Sequence, residues 1–465
     1  MRVVFLNPQG NFDPEDSYWT EHPDFGGQLV YVKELASAMA QLGVDVDIIT
    51  RRIIDPDWPE FSDEKEGYRG IENLRILRFA CGGDKFLKKE DLWPYLEEWC
   101  NNIKAFYESE NEIPDFMTGH YGDGGISAAI LSQKLERPFS FTAHSLGALK
   151  MDKLGVNEKN MPDYEKVFHF SRRLAAERIA MHYSSVNFVS TKMERFEQYG
   201  HPRYKGWIDV HDDSHFKVVP PGVNRRIFNE VDEKSDEAFT VKIQNHNKPF
   251  VVLSSRIDPK KNHISVIKAF GEDEELRNMA RLLIVVRGLS DVYEDIDKLK
   301  ENEKKIVKQW LKYIEENGLR DNISFINAEN QKELAALYRY AKKQKSVFCN
   351  PALYEPFGLT VIEAMSCGLP VAATENGGPS EILEEDGKHY GFLFDPEKTA
   401  SISEKLKEAL SNETDYKRLA DLSIRRVLEK YTWEKSAESY LDEIKKKIAT
   451  YQPVEIDLSH FRETL

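Results

Sequence analysis

The amino-acid sequence predicts an α/β fold built from parallel sheets, laid down twice in tandem. Length is the first reason: 465 residues exceed the size at which one hydrophobic core stops growing, so two domains, or three, are expected. The second is a series of short β-rich runs in the first half, Val3–Leu6, Val46–Thr50, Leu74–Phe79, Phe116–Gly119 and Phe139–Thr142, with helical patterns between some of them. Alternation of this kind implies crossover helices and parallel strands. The third is that the pattern lapses in a polar stretch, Asn229 to Lys248, and then restarts. The second set of runs is Phe250–Ser255, Leu282–Val286, Ile323–Ile326, Val347–Cys349, Val371–Thr374 and Gly391–Phe394.

The clearest helix is Gln28 to Leu42, where Leu29, Val32, Leu35, Ala36, Met39 and Leu42 form one apolar face before Gly43 ends it. The polar stretch reads as a linker between two similar halves. Trp433 to Ile448 is a long helical pattern followed by an irregular tail. With 41% hydrophobic and 31% charged residues the chain is globular in composition, and a net charge of −15 disfavours nucleic acid or an anionic membrane surface as partner. A local basic pocket remains compatible with that charge. Cys81, Cys100, Cys349 and Cys367 are scattered without CxxC spacing, so neither a zinc site nor a disulfide framework is expected. The apolar run at the N-terminus is too short for a signal peptide, and no apolar stretch is long enough to span a bilayer, so a cytoplasmic protein is expected.

Ligands of doubly wound sheets bind where strands end and helices begin, so those junctions carry the functional argument. Ala143-His144-Ser145-Leu146-Gly147, after an apolar run, allows three readings: a nucleophile elbow with Ser145 attacking an ester, a turn in which His144 is the working group, or a plain buried turn. Gly26-Gly27-Gln28 opens the first helix, and its glycines let backbone approach a ligand; a plain tight turn needs no more than that. Arg256 and Lys261 follow a strand and can neutralise a diphosphate, the first as a planar fork and the second as a point charge. Tyr354-Glu355-Pro356-Phe357-Gly358-Leu359-Thr360 shapes a loop before a helix that stops at Gly368. Its free N–H groups can receive an anion, and Glu355 and Glu363 can accept from vicinal sugar hydroxyls. There is no GxxxxGK loop, no GxGxxG fingerprint and no HExxH. Asp45-Val46-Asp47 looks like a DxD metal motif, but its alternation with Val44 and Ile48 reads as a strand face.

On Asn7-Pro8-Gln9-Gly10, Gly26-Gly27-Gln28, His144-Ser145-Leu146-Gly147 with Lys150, Arg172-Arg173 before Ala176-Glu177, the Arg256/Lys261 pair and the Glu355 to Glu363 motif, the chain resembles a retaining glycosyltransferase of GT-B type, family 4, in the sucrose-phosphate synthase branch. The resemblance covers most of the chain. It implies two Rossmann-like domains facing each other across a cleft. The N-terminal acceptor-binding domain would span residues 1–240 and the nucleotide-sugar-binding domain 241–431, with the tail 432–465 packing back on the first.

The same resemblance implies roles. Arg256 and Lys261 would stabilise the leaving nucleoside diphosphate, Glu363 would hold the ribose, and Glu355 would hold the transferred sugar, with Phe357, Gly358, Leu359 and Thr360 lending backbone N–H groups. His144 would sit beside the sugar, and Gly26, Gly27 and Gln28 would line the cleft. Lys89, Ser145, Lys150, Arg172 and Arg173 would contact a phosphorylated acceptor. The implied reaction takes glucose from UDP-glucose to fructose 6-phosphate, giving sucrose 6-phosphate and UDP, without cofactor or metal. A separate phosphatase would then act on the product. GDP-mannose as donor is the alternative, and an α/β-hydrolase with Ser145 as nucleophile leaves the second half unexplained.

Overall fold

The structure, a computed structural model, describes residues 1–18, 27–241, 243, 248–411 and 413–465. Contacts divide the chain into one compact unit of Met1–Pro220 with Trp433–Leu465 and a second of Pro221–Thr432.

The first unit is built on a sheet of eight strands: β1 (Arg2–Leu6), β2 (Asp45–Arg51), β3 (Lys65–Gly67), β4 (Leu74–Phe79), β5 (Phe116–His120), β6 (Phe139–Thr142), β7 (Val186–Val189) and β8 (Phe216–Val218). Their order is β3-β4-β2-β1-β5-β6-β7-β8, and only β3 runs antiparallel to its neighbour. Central strands such as β5 and β6 are buried at every position, which is why they read as continuous apolar runs rather than as alternating ones. Helix Gly27–Gln41 packs Leu29, Val32, Leu35, Ala36 and Met39 against one face of the sheet. Helix Trp433–Thr450 lies beside it; Tyr440 stacks on Phe188 at 3.7 Å between ring centroids, and its hydroxyl bonds those of Tyr31 and Thr142. Helices Leu96–Glu110 and Tyr121–Leu135 cover the opposite face, with Leu458 and Phe461 of the C-terminal segment.

The second unit carries β9 (Phe250–Leu253), β10 (Arg281–Val285), β11 (Ile323–Ile326), β12 (Val347–Asn350), β13 (Val371–Thr374) and, after a small antiparallel pair β14 (Glu384–Glu385) and β15 (Lys388–His389), β16 (Phe392–Phe394). The six main strands are parallel in the order β11-β10-β9-β12-β13-β16, with an apolar cluster on each face.

Two sequence expectations need correction. The first unit ends at Pro220 rather than at residue 240, because Val223 bridges to Thr432 and helix Lys234–Thr240 packs on helix Gln331–Lys343 within the second unit. There Arg339 makes a bidentate ion pair with Asp236, at 2.6 and 2.7 Å. The polar stretch is therefore not wholly a linker. Strands β3, β7 and β8 were not expected: β3 is the polar Lys65-Glu66-Gly67, and Asn187 and Lys217 interrupt the short apolar runs of β7 and β8. The Asp45-Val46-Asp47 segment is a strand, as its alternation implies: Asp47 is fully buried and paired with Arg75 at 2.6 Å and Arg2 at 3.1 Å. Among the described residues no helix is long and apolar enough to cross a membrane.

Candidate active site

In each sheet the strand order reverses once, and the crevice outside the strand ends at that point is where such folds bind ligands. The reversal in the first unit lies between β1 and β5, and in the second between β9 and β12. The predicted site residues follow these strands or their neighbours.

In the first unit, Gln28 stands at the start of helix Gly27–Gln41, donating to Asn7 Oδ1 and accepting from Gln9 at 2.8 Å, which ties the helix to the end of β1. Gly27 begins that helix; Gly26 lies outside the described residues. After β6, His144 takes φ +55° and turns the chain so that Ser145 is exposed and helix Gly147–Lys153 begins. Arg173, 4% exposed, donates to the Ser145 carbonyl at 2.6 Å and to Glu177 at 2.8 Å, and its guanidinium stands 4.4 Å from the Tyr121 ring centroid. Glu177 is fully buried and also accepts from the Gly147 N–H and the Tyr204 hydroxyl. The approach is so close that a Cβ on Gly147 would stand 3.1 Å from both Arg173 Cδ and Glu177 Oε2, which explains a glycine there.

The Lys150 ammonium lies 3.9 Å from Glu90 and 3.9 Å from the centre of the Phe168 ring. Lys89 borders a small crevice with Pro8, Gln9 and Gly10, and acts electrostatically on Tyr121 and Asp123. Lys89, Ser145, Lys150 and Arg173 thus gather at the carboxyl ends of β1, β5 and β6. Arg172 does not join them: it donates to the carbonyls of Thr464 at 2.9 Å and Leu465 at 3.0 Å, and serves the C-terminal segment instead. That corrects its expected acceptor role.

The nucleophile-elbow reading fails on the same geometry. The left-handed residue is His144, not Ser145, and among the described residues no histidine hydrogen-bonds Ser145. Of the histidines downstream, His201 bonds Asp152, His215 bonds the Ser184 carbonyl, His211 packs on Phe196, His263 belongs to the second unit and His246 lies outside the described residues.

In the second unit, Arg256 and Lys261 follow β9, while Glu355, Phe357, Gly358, Leu359, Thr360 and Glu363 follow β12. Lys261 bonds Glu355 at 2.6 Å, and Asn350 reaches toward both Glu355 and Thr360. Arg256 is exposed, and its side chain makes no hydrogen bond or ion pair among the described residues. Helix Leu359–Ser366 starts after Gly358 at φ +109°, leaving its first N–H groups for a ligand. The segment Gly377-Gly378 braces this loop. A Cβ on Gly377 would fall 2.1 Å from the Glu355 carbonyl, and the φ of +107° is one that side chains rarely adopt.

Burial raises the Glu363 carboxyl to about 8. Its folded pKa exceeds the ordinary value, so its contribution to stability is complete below about pH 4.5 and is lost as pH rises through about 8. Glu363→Gln is therefore expected to raise Tm by several degrees at pH 9 and to leave it unchanged at pH 4.5, checked by calorimetry across that range.

Comparison with known proteins covers nearly all of the chain. Residues 1–247 match the family model "Sucrose synthase first GT-B domain" and residues 234–425 match "Glycosyl transferases group 1". A probable sucrose-phosphate synthase of Thermosipho melanesiensis is 47% identical over 96% of this chain and 97% of its own length. The chain belongs to the sucrose-phosphate synthase family. Like that family's members it is a GT-B hexosyltransferase. The maize sucrose-phosphate synthase is 31% identical over 95% of this chain, which spans 47% of the maize protein. Among solved structures, a sucrose-phosphate synthase from Thermosynechococcus elongatus superposes with a TM-score of 0.69 at 21% identity, covering 97% of this chain and all of that one. The Anabaena protein HepE, solved with UDP-glucose, gives 0.60 at 15% identity, covering 96% of this chain and all of HepE.

For this member of the sucrose-phosphate synthase family, sequence reading overlooked His120, Tyr121 and Asp123. Asp123 is 1% exposed; its Oδ1 accepts from the Gly124 N–H, its Oδ2 has no hydrogen-bond partner among the described residues, and burial raises it to about 7. The signal that finds all three is position, since His120 ends the strand at the reversal point and Tyr121 and Asp123 open the helix after it.

Proposed function

We propose that the enzyme transfers glucose from UDP-glucose to the anomeric hydroxyl of fructose 6-phosphate with retention, giving sucrose 6-phosphate and UDP. The observation that carries this reading is the gathering of Lys89, Ser145, Lys150 and Arg173 at one end of the first sheet, in a chain whose net charge is −15. An acidic protein that concentrates cations on one crevice selects an anionic group, and a phosphate monoester fits. The UDP-glucose complex of HepE, a fold neighbour, supports the donor assignment.

The acceptor hydroxyl oxygen bonds to the glucose anomeric carbon as the bond from that carbon to the diphosphate oxygen breaks, on the same face. The hydroxyl proton passes to the departing phosphate oxygen, so no protein nucleophile is needed. Arg256 and Lys261 stabilise the charge on the leaving diphosphate, with Lys261 exchanging its pairing with Glu355 for the phosphates. Glu355 then accepts from hydroxyls of the transferred sugar, Glu363 from the ribose, and backbone N–H groups from Phe357 to Thr360 face the donor. Gly27 and Gln28 border the acceptor.

The test is nucleoside diphosphate release from fructose 6-phosphate with UDP-glucose, ADP-glucose, GDP-glucose or GDP-mannose. Release with UDP-glucose at the highest kcat/KM is expected. A preference for GDP-mannose would overturn the donor and leave the family intact.

A further inference from the structure

We infer that His120 is a positioning residue that fixes the tautomer of His144, through a hydrogen-bond chain Thr118–His120–His144, so that His144 presents an Nδ1–H donor to the sugar. The inference rests on the reading that His144 lies beside the transferred sugar.

The chain of bonds follows from strand geometry. Thr118 and His120 are two apart on β5 and so face the same side of the sheet. On the neighbouring strand β1, Phe5 is in register with Thr118 and stacks on His120 at 5.4 Å and 14°. His120 is in register with Thr142, the last residue of β6, which places His144 two residues beyond the strand end. The left-handed backbone at His144 folds its ring back over His120, with centroids 5.1 Å apart and planes at 26°. A non-glycine residue held in that conformation is strained, and strain of this kind persists where a function needs it. Tyr31 closes the other side with its ring 4.9 Å from that of His144 at 80°, and its hydroxyl is held by Tyr440 at 2.8 Å.

Proton counting then decides the tautomers. His120 Nδ1 and His144 Nε2 are 2.8 Å apart, and the Thr118 hydroxyl bonds His120 Nε2. Burial pushes the His144 pKa down to about 3 and holds that of His120 well below its ordinary value, so at neutral pH each ring carries one N–H. Thr118 is fully buried, and among the described residues its hydroxyl has no acceptor other than His120 Nε2. It must donate there, or bury an unsatisfied proton. His120 therefore carries its proton on Nδ1 and donates it to His144 Nε2. His144 in turn carries its proton on Nδ1, the nitrogen that bonds no other described residue. A ring locked in this state donates to a sugar oxygen and is unsuited to act as a base there.

The test reads the tautomer directly in 15N-histidine-labelled protein, from two-bond nitrogen–proton correlations at neutral pH. His144 is expected to be protonated on Nδ1. Thr118→Val keeps the shape of the side chain and removes the donor; it is expected to give a mixture of His144 tautomers, with kcat down about tenfold and both KM values within about twofold. His120→Gln, whose carboxamide N–H can donate to His144 Nε2, is expected to keep more activity than His120→Leu. A wild-type His144 protonated on Nε2, or on both nitrogens, overturns the inference whatever the kinetics. An Nδ1–H tautomer that Thr118→Val unlocks without change in kcat upholds the lock and instead overturns the placing of His144 beside the sugar.

Discussion

Alanine at Arg256 or at Lys261 is expected to cut kcat by about 10²–10³-fold each, since in the proposed reaction each supplies one positive charge to the oxygen on which negative charge develops. The expectation is sharper for Lys261, because its loss also strands Glu355, which it holds at 2.6 Å and which is largely shielded from water. The Arg256 side chain has no partner to disrupt among the described residues, so Arg256→Ala is expected to leave Tm unchanged, and its kinetic effect reports the diphosphate alone. Steady-state kinetics with UDP-glucose and fructose 6-phosphate check both. Near-wild-type rates in the two variants would remove the diphosphate assignment.

Loss of Lys150 or Arg173, two of the cations proposed to hold the acceptor phosphate, is expected to raise the KM for fructose 6-phosphate by about 10–100-fold, the worth of one charge-assisted hydrogen bond, with the KM for UDP-glucose changed little. Lys150→Ala is the milder test, because that ammonium is part-exposed, resting against Phe168 and Glu90. Arg173→Ala carries a second cost. It leaves the buried Glu177 carboxylate without its guanidinium, a break worth roughly 3–5 kcal/mol, so its Tm is expected to fall as well. Equal KM effects on donor and acceptor in Lys150→Ala would contradict the acceptor role.

Much of the fold was legible because its central strands are buried on both faces and so announce themselves as apolar runs; β13, buried at every position, matches the sequence reading residue for residue. The unit boundary was not, since composition marks polarity but not pairing, and Val223 returns to Thr432 across two hundred residues of chain. In the site, the adjacent arginines show the limit most clearly. Neighbours on a helix point about 100° apart, so one of the pair had to face away, and sequence alone does not say which. The four-residue step from Arg173 to Glu177, one helical face, selects Arg173 once the pairing is seen. His120 was invisible for a related reason: a histidine ending an apolar strand gains meaning only from the ring stacked on it.

The central claim is that the first unit reads a phosphate on the acceptor, and the most direct measurement compares fructose 6-phosphate with fructose under saturating UDP-glucose. A kcat/KM for fructose 6-phosphate at least about 100-fold higher, with that advantage largely lost in Lys150→Ala, is the predicted result. Equal kcat/KM for the two acceptors would contradict it.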